Sequence, residues 1–286
     1  MHLTNDNMAE DDSQITNFRK IVIGGPDFGS VNVSTHGAQV TSWKSHDGKD
    51  SLFMSGKAIY RKGFPIRGGV PIAFPQFGSR GSLPKHGFAR IEAWNLTRQD
   101  LNSAGFSLTE NRDTLKLWPH KYLAEYSIVL RKNELELSLS IKNKDDHNLE
   151  FTSALHTYFS VDDIRTAEID GLQRTDFIDE ALADSRRRTQ EGLLTFEGEV
   201  DRVFINPPDR VILLSAGRPL VEIESSGFNN VVVWNPGLEK TRTIPDLAPE
   251  DYLHFVCVES AVITNPVKLR PGETWQGTQR LVRKIS

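Results

Sequence analysis

Between Glu134 and Ile141 the chain reads Glu-Leu-Glu-Leu-Ser-Leu-Ser-Ile, so Leu135, Leu137, Leu139 and Ile141 alternate with charged or hydroxyl side chains. A period of two sends successive side chains to opposite faces of a strand, and this run therefore demands a sheet with one dry face and one wet face. Short apolar or alternating runs recur from Lys20 to Val282, separated by turn residues such as Gly24-Gly25-Pro26-Asp27, Asp47-Gly48 and the hairpin pair Lys132-Asn133. Sustained helical periodicity is nearly absent. Only 111–120 and 246–251 admit a short helical turn, and Pro119, Pro245 and Pro249 limit both. Many short strands with frequent turns in one chain predict an all-β fold, a large antiparallel sandwich or barrel.

One domain over 18–286 is expected. It is preceded by an acidic leader at 1–17, where Asp6, Glu10, Asp11 and Asp12 stand without Lys or Arg and disorder is expected. The charged segment 176–191, with Arg186, Arg187 and Arg188, reads as an exposed loop. A net charge of -4 gives no global cationic field, so nucleic acid is not an expected partner and any anion site must be local. Cys257 is the sole cysteine, which excludes an intrachain disulfide framework. No window approaches the about 18 apolar residues of a membrane-spanning helix, and the N-terminus lacks a signal pattern. The expectation is a soluble, cytoplasmic monomer with a small-molecule ligand and no membrane partner.

The densest stretch is 67–90, RGGVPIAFPQFGSRGSLPKHGFAR. Its glycines and prolines suit neither a helix interior nor a central strand, yet Val70, Ile72, Phe74 and Phe77 are too apolar for a solvated linker. An ordered, partly buried loop is predicted, presenting Arg67, Arg80, Lys85, His86 and Arg90, and a bound anion is the economical reading. Solvated arginines on ordinary turns are the alternative. In 152–159, read as one strand, His156 shares a face with Ala154 and Tyr158. An imidazole there serves either as a general acid or base or as a hydrogen-bonded structural group. In 255–259, Phe255, Cys257 and Glu259 share a face, and a carboxylate closing an apolar strand needs either water or a polar pocket. Trp234 and Asn235 could stack on a sugar and bind its hydroxyls, although Trp234 fits the core equally well. The eight histidines show no HExxH and no closely spaced pair, and no phosphate-binding glycine motif opens a βα unit.

Taken together and in order, RGGVPIAFPQFG, LPKHGFAR, ALHTYF, EVDRVF, VVVWNP and VCVE resemble the hexose-6-phosphate mutarotase branch of the aldose 1-epimerase family, over roughly 20–283. The resemblance implies a β-sandwich of the galactose mutarotase-like type. It also implies an isomerase of carbohydrate metabolism, a glucose-6-phosphate 1-epimerase that interconverts the α and β anomers of D-glucose 6-phosphate with no cofactor and no metal. On that likeness His156 is the general acid and Glu259 the general base, Arg67 and Arg90 help bind the phosphosugar, and Asp201 binds the sugar. One departure stands out: the residue before HGFAR is often Gln in the family and is Lys85 here, which adds a positive charge beside the phosphate site. His86 is retained, with a sugar oxygen as its expected partner. An epimerase of unphosphorylated aldoses and a noncatalytic carbohydrate-binding sandwich are the alternatives.

Overall fold

A computed structural model describes residues 18–182 and 186–284. The alternating run becomes the strand Glu134–Asn143, in which Leu135, Leu137, Leu139 and Ile141 are fully buried. It turns back on Tyr122–Arg131 with Arg131 opposite Glu134, and Asn133 takes a φ of 59°, a conformation asparagine tolerates. These two belong to an eight-stranded sheet ordered Ala167–Asp170, Arg210–Ser215, Arg218–Ser226, Thr274–Arg283, Glu134–Asn143, Tyr122–Arg131, Ser103–Thr109 and Asn95–Gln99.

A second eight-stranded sheet runs Arg187–Thr189, Asp176–Asp179, Val200–Ile205, Asn230–Asn235, Phe255–Leu269, Leu149–Leu155 and Ile72–Ala73, with Tyr158–Ser160 also paired to Phe255–Leu269. The strands Lys20–Gly25, Gly29–Ser34 and Gln39–Lys44 form a smaller third sheet. One apolar cluster fills the space between the two large sheets. It joins Tyr122, Ile128, Leu135 and Leu139 of the first to Val231, Val233, Val256, Val258 and Val262 of the second. The fold is thus the antiparallel sandwich that the alternation predicts.

The other face of the second sheet is what matters for function. Ala154, Val203, Val232, Ala261 and Ile263 make one apolar cluster there, and Tyr158, Trp234, Phe255 and Cys257 make another. Residues 255–263 are all buried because both faces of this central strand are covered. Strict alternation then sets Glu259 on the outer face, between Cys257 and Ala261 and so between the two apolar clusters.

Asn230 holds the register of that strand where it shifts between Val262 and Val267. Its side chain donates to the Phe204 carbonyl and accepts from the backbone N–H groups of Ile263 and Thr264, at 3.0, 2.8 and 3.0 Å. Asn230→Ala leaves these buried groups without partners, and a loss of about 3 kcal/mol in urea unfolding is expected.

Three local expectations are corrected. The segment 152–159 is two strands, broken at His156 and Thr157: His156 N–H donates to the Pro71 carbonyl at 2.9 Å, and Tyr158 N–H to that of Gly69 at 2.9 Å. The 67–90 loop thereby takes over the backbone bonds the sheet gives up. The segment 176–191 is not simply a loop, since Asp176–Asp179 and Arg187–Thr189 pair as an edge hairpin with Phe177 and Asp179 buried. The short helical turn in 111–120 is Arg112–Leu117, capped by Asn111, whereas the turn expected at 246–251 begins only at Asp251. The leader at 1–17 lies outside the described residues.

Candidate active site

The loop 67–90 and the outer face of the second sheet enclose a cavity of about 380 Å³. That volume lies within the range of small-ligand sites. The seven residues named through the family likeness all line it, Arg67, Lys85, His86, Arg90, His156, Asp201 and Glu259, and so does Arg80.

Strand register explains the convergence from the sheet side. Val203, Val232 and Glu259 lie side by side across three strands, and Asp201, Trp234 and Cys257 form the next row. Asp201 and Glu259 therefore project from the same face, one row apart. His156 enters from the neighbouring strand break. Its Nδ1 lies 3.4 Å from Glu259 Oε1, and its ring stacks on Tyr158 with centroids 4.8 Å apart. The His86 ring meets it edge-on at 5.3 Å.

The loop side depends on backbone that only glycine accommodates. Gly69 has a φ of 62°, and a Cβ there would sit 2.1 Å from the Val40 carbonyl oxygen. This close approach fixes Arg67, whose Nε donates to Asp246 at 3.1 Å and whose Nη1 donates to the Tyr158 hydroxyl at 2.9 Å. His86, at a φ of 65°, accepts the Gly78 N–H at Nδ1 (3.2 Å). A neutral imidazole accepting at Nδ1 carries its proton on Nε2, which is free to donate.

Burial dominates the electrostatics. It pushes the Glu259 carboxyl well above the ordinary range, with Asp201 adding to the rise. Burial likewise drives His156 well below, reinforced by Arg67, Arg90 and Lys85, and lifts Asp201 to about 6. Burial thus favours the uncharged form of both Glu259 and His156, a pairing with a single proton between carboxyl and imidazole. Glu259 Oε2 and His156 Nδ1 are both buried without a protein hydrogen-bond partner. Natural interiors rarely leave such groups unmet unless they have work to do.

The cations divide into two groups. Arg67 pairs with Asp246, Arg80 with Glu180 and Lys240 with Glu199. Among the described residues, Lys85 and Arg90 have no carboxylate within ion-pair distance. Arg90 donates to the Lys85 carbonyl at 2.6 Å, and its Nε is buried without a partner. Burial pulls Arg90 down to about 10, which leaves it charged at neutral pH.

Asn235 does not serve the pocket. Its amide donates to the Tyr252 and Phe255 carbonyls, both at 2.8 Å, and is structural. Trp234 belongs to the outer apolar cluster and also lines the cavity. Tyr158, Asp246, Glu180 and Lys240 went unrecognised in the sequence. For Tyr158 the signal was there, two residues from His156 and on its face. Asp246 lies in a turn, Glu180 just past the strand Asp176–Asp179, and Lys240 in the short helix Gly237–Thr241, all too brief for a periodicity to mark direction.

The aldose 1-epimerase family matches this sequence over residues 19–282. The chain belongs to the aldose 1-epimerase family. A relative in Cenchrus ciliaris, named "Putative glucose-6-phosphate 1-epimerase", is 34% identical over 271 residues, which is 90% of this chain and 82% of the relative. A protein of the same name in Escherichia coli is 34% identical over 87% of this chain and 85% of its own length. The crystal structure of a mutarotase from Salmonella typhimurium, itself described as putative, superposes with a TM-score of 0.83 at 30% identity, over 93% of this chain and 90% of that one. The sandwich is thus that of an epimerase family of carbohydrate metabolism.

The stability cost of the buried carboxyl gives a prediction. Glu259 has a raised folded-state value, so between its unfolded value near 4.5 and that raised value the native protein holds a proton the unfolded chain has released. Stability then falls as pH rises through that window. Glu259→Gln removes the penalty, and its melting temperature relative to wild type should be higher at pH 8 than at pH 5.

Proposed function

We propose that the protein interconverts the α and β anomers of D-glucose 6-phosphate. The observation that carries this reading is the pairing of a buried, one-proton acid/base couple, His156 and Glu259, with two uncompensated cations, Lys85 and Arg90, in one cavity. A phosphate dianion supplies the charge those cations lack, and a guanidinium fork suits it better than it suits a neutral hydroxyl.

The uncharged couple and the carboxylate–imidazolium couple contain the same number of protons, with one to give and one site to fill. Phosphate on Arg90 and Lys85 offsets the positive field that holds His156 down, which shifts the proton towards the imidazole. Glu259 takes the proton of the C1 hydroxyl as His156 gives one to the ring oxygen, and the ring opens to the aldehyde. Rotation about C1–C2 presents the other carbonyl face. Reclosure with both transfers reversed forms the opposite anomer and restores the couple. Asp201 and the Nε2–H of His86 hold sugar hydroxyls, and Arg67, braced by Asp246 and Tyr158, adds N–H donors to the phosphate side.

Titration calorimetry with 1,5-anhydroglucitol 6-phosphate, which cannot open, tests the phosphosugar assignment. Binding roughly 10²-fold tighter than that of 1,5-anhydroglucitol is expected from charge-assisted hydrogen bonds. Equal affinities would move the substrate to unphosphorylated aldoses.

A further inference from the structure

Away from the cavity, at the open end of the hairpin formed by Tyr122–Arg131 and Glu134–Asn143, the fold gathers His120, Asp145 and His147. His120 Nδ1 is 3.7 Å from Asp145 Oδ2, and His147 Nδ1 is 3.3 Å from Asp145 Oδ1. One ligand atom from each of the three falls within 4.8 Å of the others. The sequence hid this pairing because the two histidines are far apart along the chain.

The carboxylate is unusual. The Asp145 side chain is only 9% exposed, yet among the described residues its only ion-pair partners are the two imidazoles. Its oxygens accept the N–H groups of Lys121 and Asp146, both at 3.1 Å, which fixes their direction. Buried Asn143 fastens the turn that carries it, donating to the His147 and Leu269 carbonyls at 2.9 and 3.0 Å and accepting the Asp145 N–H at 2.8 Å. His120 Nδ1 is itself buried with no hydrogen-bond partner.

We propose that His120, Asp145 and His147 bind one divalent transition-metal ion of the Zn²⁺ class, at a site separate from the sugar cavity. Tetrahedral coordination with Zn–N and Zn–O bonds of about 2.0–2.1 Å sets its ligand atoms roughly 3.3 Å apart. The two separations to Asp145 are 3.7 and 3.3 Å, and a small shift of the exposed His147 side chain brings in the third. Two imidazole nitrogens and one carboxylate favour Zn²⁺, Ni²⁺ or Cu²⁺ over Mg²⁺ or Ca²⁺, which take all-oxygen sets. His147, 57% exposed, opens the site to solvent, so the remaining positions go to water and the ion clips the 118–121 segment to the 143–147 turn.

The test uses the untagged full chain. Calorimetry should show one Zn²⁺ bound per chain, weakened at least about tenfold in His147→Ala and in Asp145→Asn. His147 is exposed, so its replacement should leave both the fold and anomer exchange unchanged. The Trp118 ring centroid lies 4.6 Å from that of His120, the two rings tilted by 55°, and Trp118 is one of five tryptophans, so Ni²⁺ should quench part of the fluorescence, and Trp118→Phe should remove that part. Absence of Zn²⁺ binding to the wild type would overturn the proposal. Binding that His147→Ala leaves intact would overturn it too, placing the ion elsewhere, as at the His86–His156 pair.

Discussion

Glu259→Gln is expected to slow anomer exchange of glucose 6-phosphate by about 10³-fold or more while the protein stays folded, since a positioned proton-transfer group supplies about 10²- to 10⁴-fold. The amide matches the neutral carboxyl in shape but can neither take nor return a proton. The strand carrying it is held by register on both sides and by Asn230, none of which involves the carboxyl. His156→Ala should have a loss of the same order. Because the two groups act as one couple, the double variant should lose little beyond the more damaged single variant. Independent losses that multiply, or near-native rates in either single variant, would remove the pair from the chemistry. KM should move little in Glu259→Gln, because the phosphate is held elsewhere.

Arg90→Ala is expected to raise KM for glucose 6-phosphate by roughly 30- to 100-fold, with kcat less affected and any action on glucose unchanged. The size follows from one charge-assisted contact of about 2–3 kcal/mol. Arg90 is the cleaner probe because no carboxylate among the described residues lies within ion-pair distance of it. Arg67 looks equivalent in the sequence, but its replacement strands Asp246, 6% exposed, and frees the Tyr158 hydroxyl. Arg67→Ala should therefore destabilise the fold by about 3 kcal/mol as well as weaken binding, as breaking a largely buried pair does. A lower melting temperature in Arg67→Ala but not in Arg90→Ala separates the two roles.

Alternation made much of this architecture legible. Leu135 to Ile141 identified a dry face, and the placement of Phe255, Cys257 and Glu259 on one face is what the structure shows. The same reasoning failed at 152–159, where period two was carried through a strand that breaks. The break is not encoded in its own residues: the Pro71 and Gly69 carbonyls, about 85 residues earlier, supply the competing bonds. The 67–90 loop was legible as an ordered cationic element because so many glycines and apolar residues together rule out a solvated linker. Which of its cations are free was not, because the carboxylates that pair Arg67 and Arg80, Asp246 and Glu180, come from remote segments. The proton balance of the couple was also hidden. Sequence places an imidazole and a carboxyl, but only their burial shows that both are pushed towards their uncharged forms.

The central claim is that this cavity moves protons at the anomeric centre of a phosphorylated hexose. Its most direct test is magnetisation exchange between the anomeric protons of α- and β-glucose 6-phosphate, with glucose at the same concentration as the matched control. The account predicts exchange far above the buffer rate for the phosphate ester and much weaker acceleration for glucose. Exchange of glucose 6-phosphate at the buffer rate in the presence of folded enzyme would contradict it.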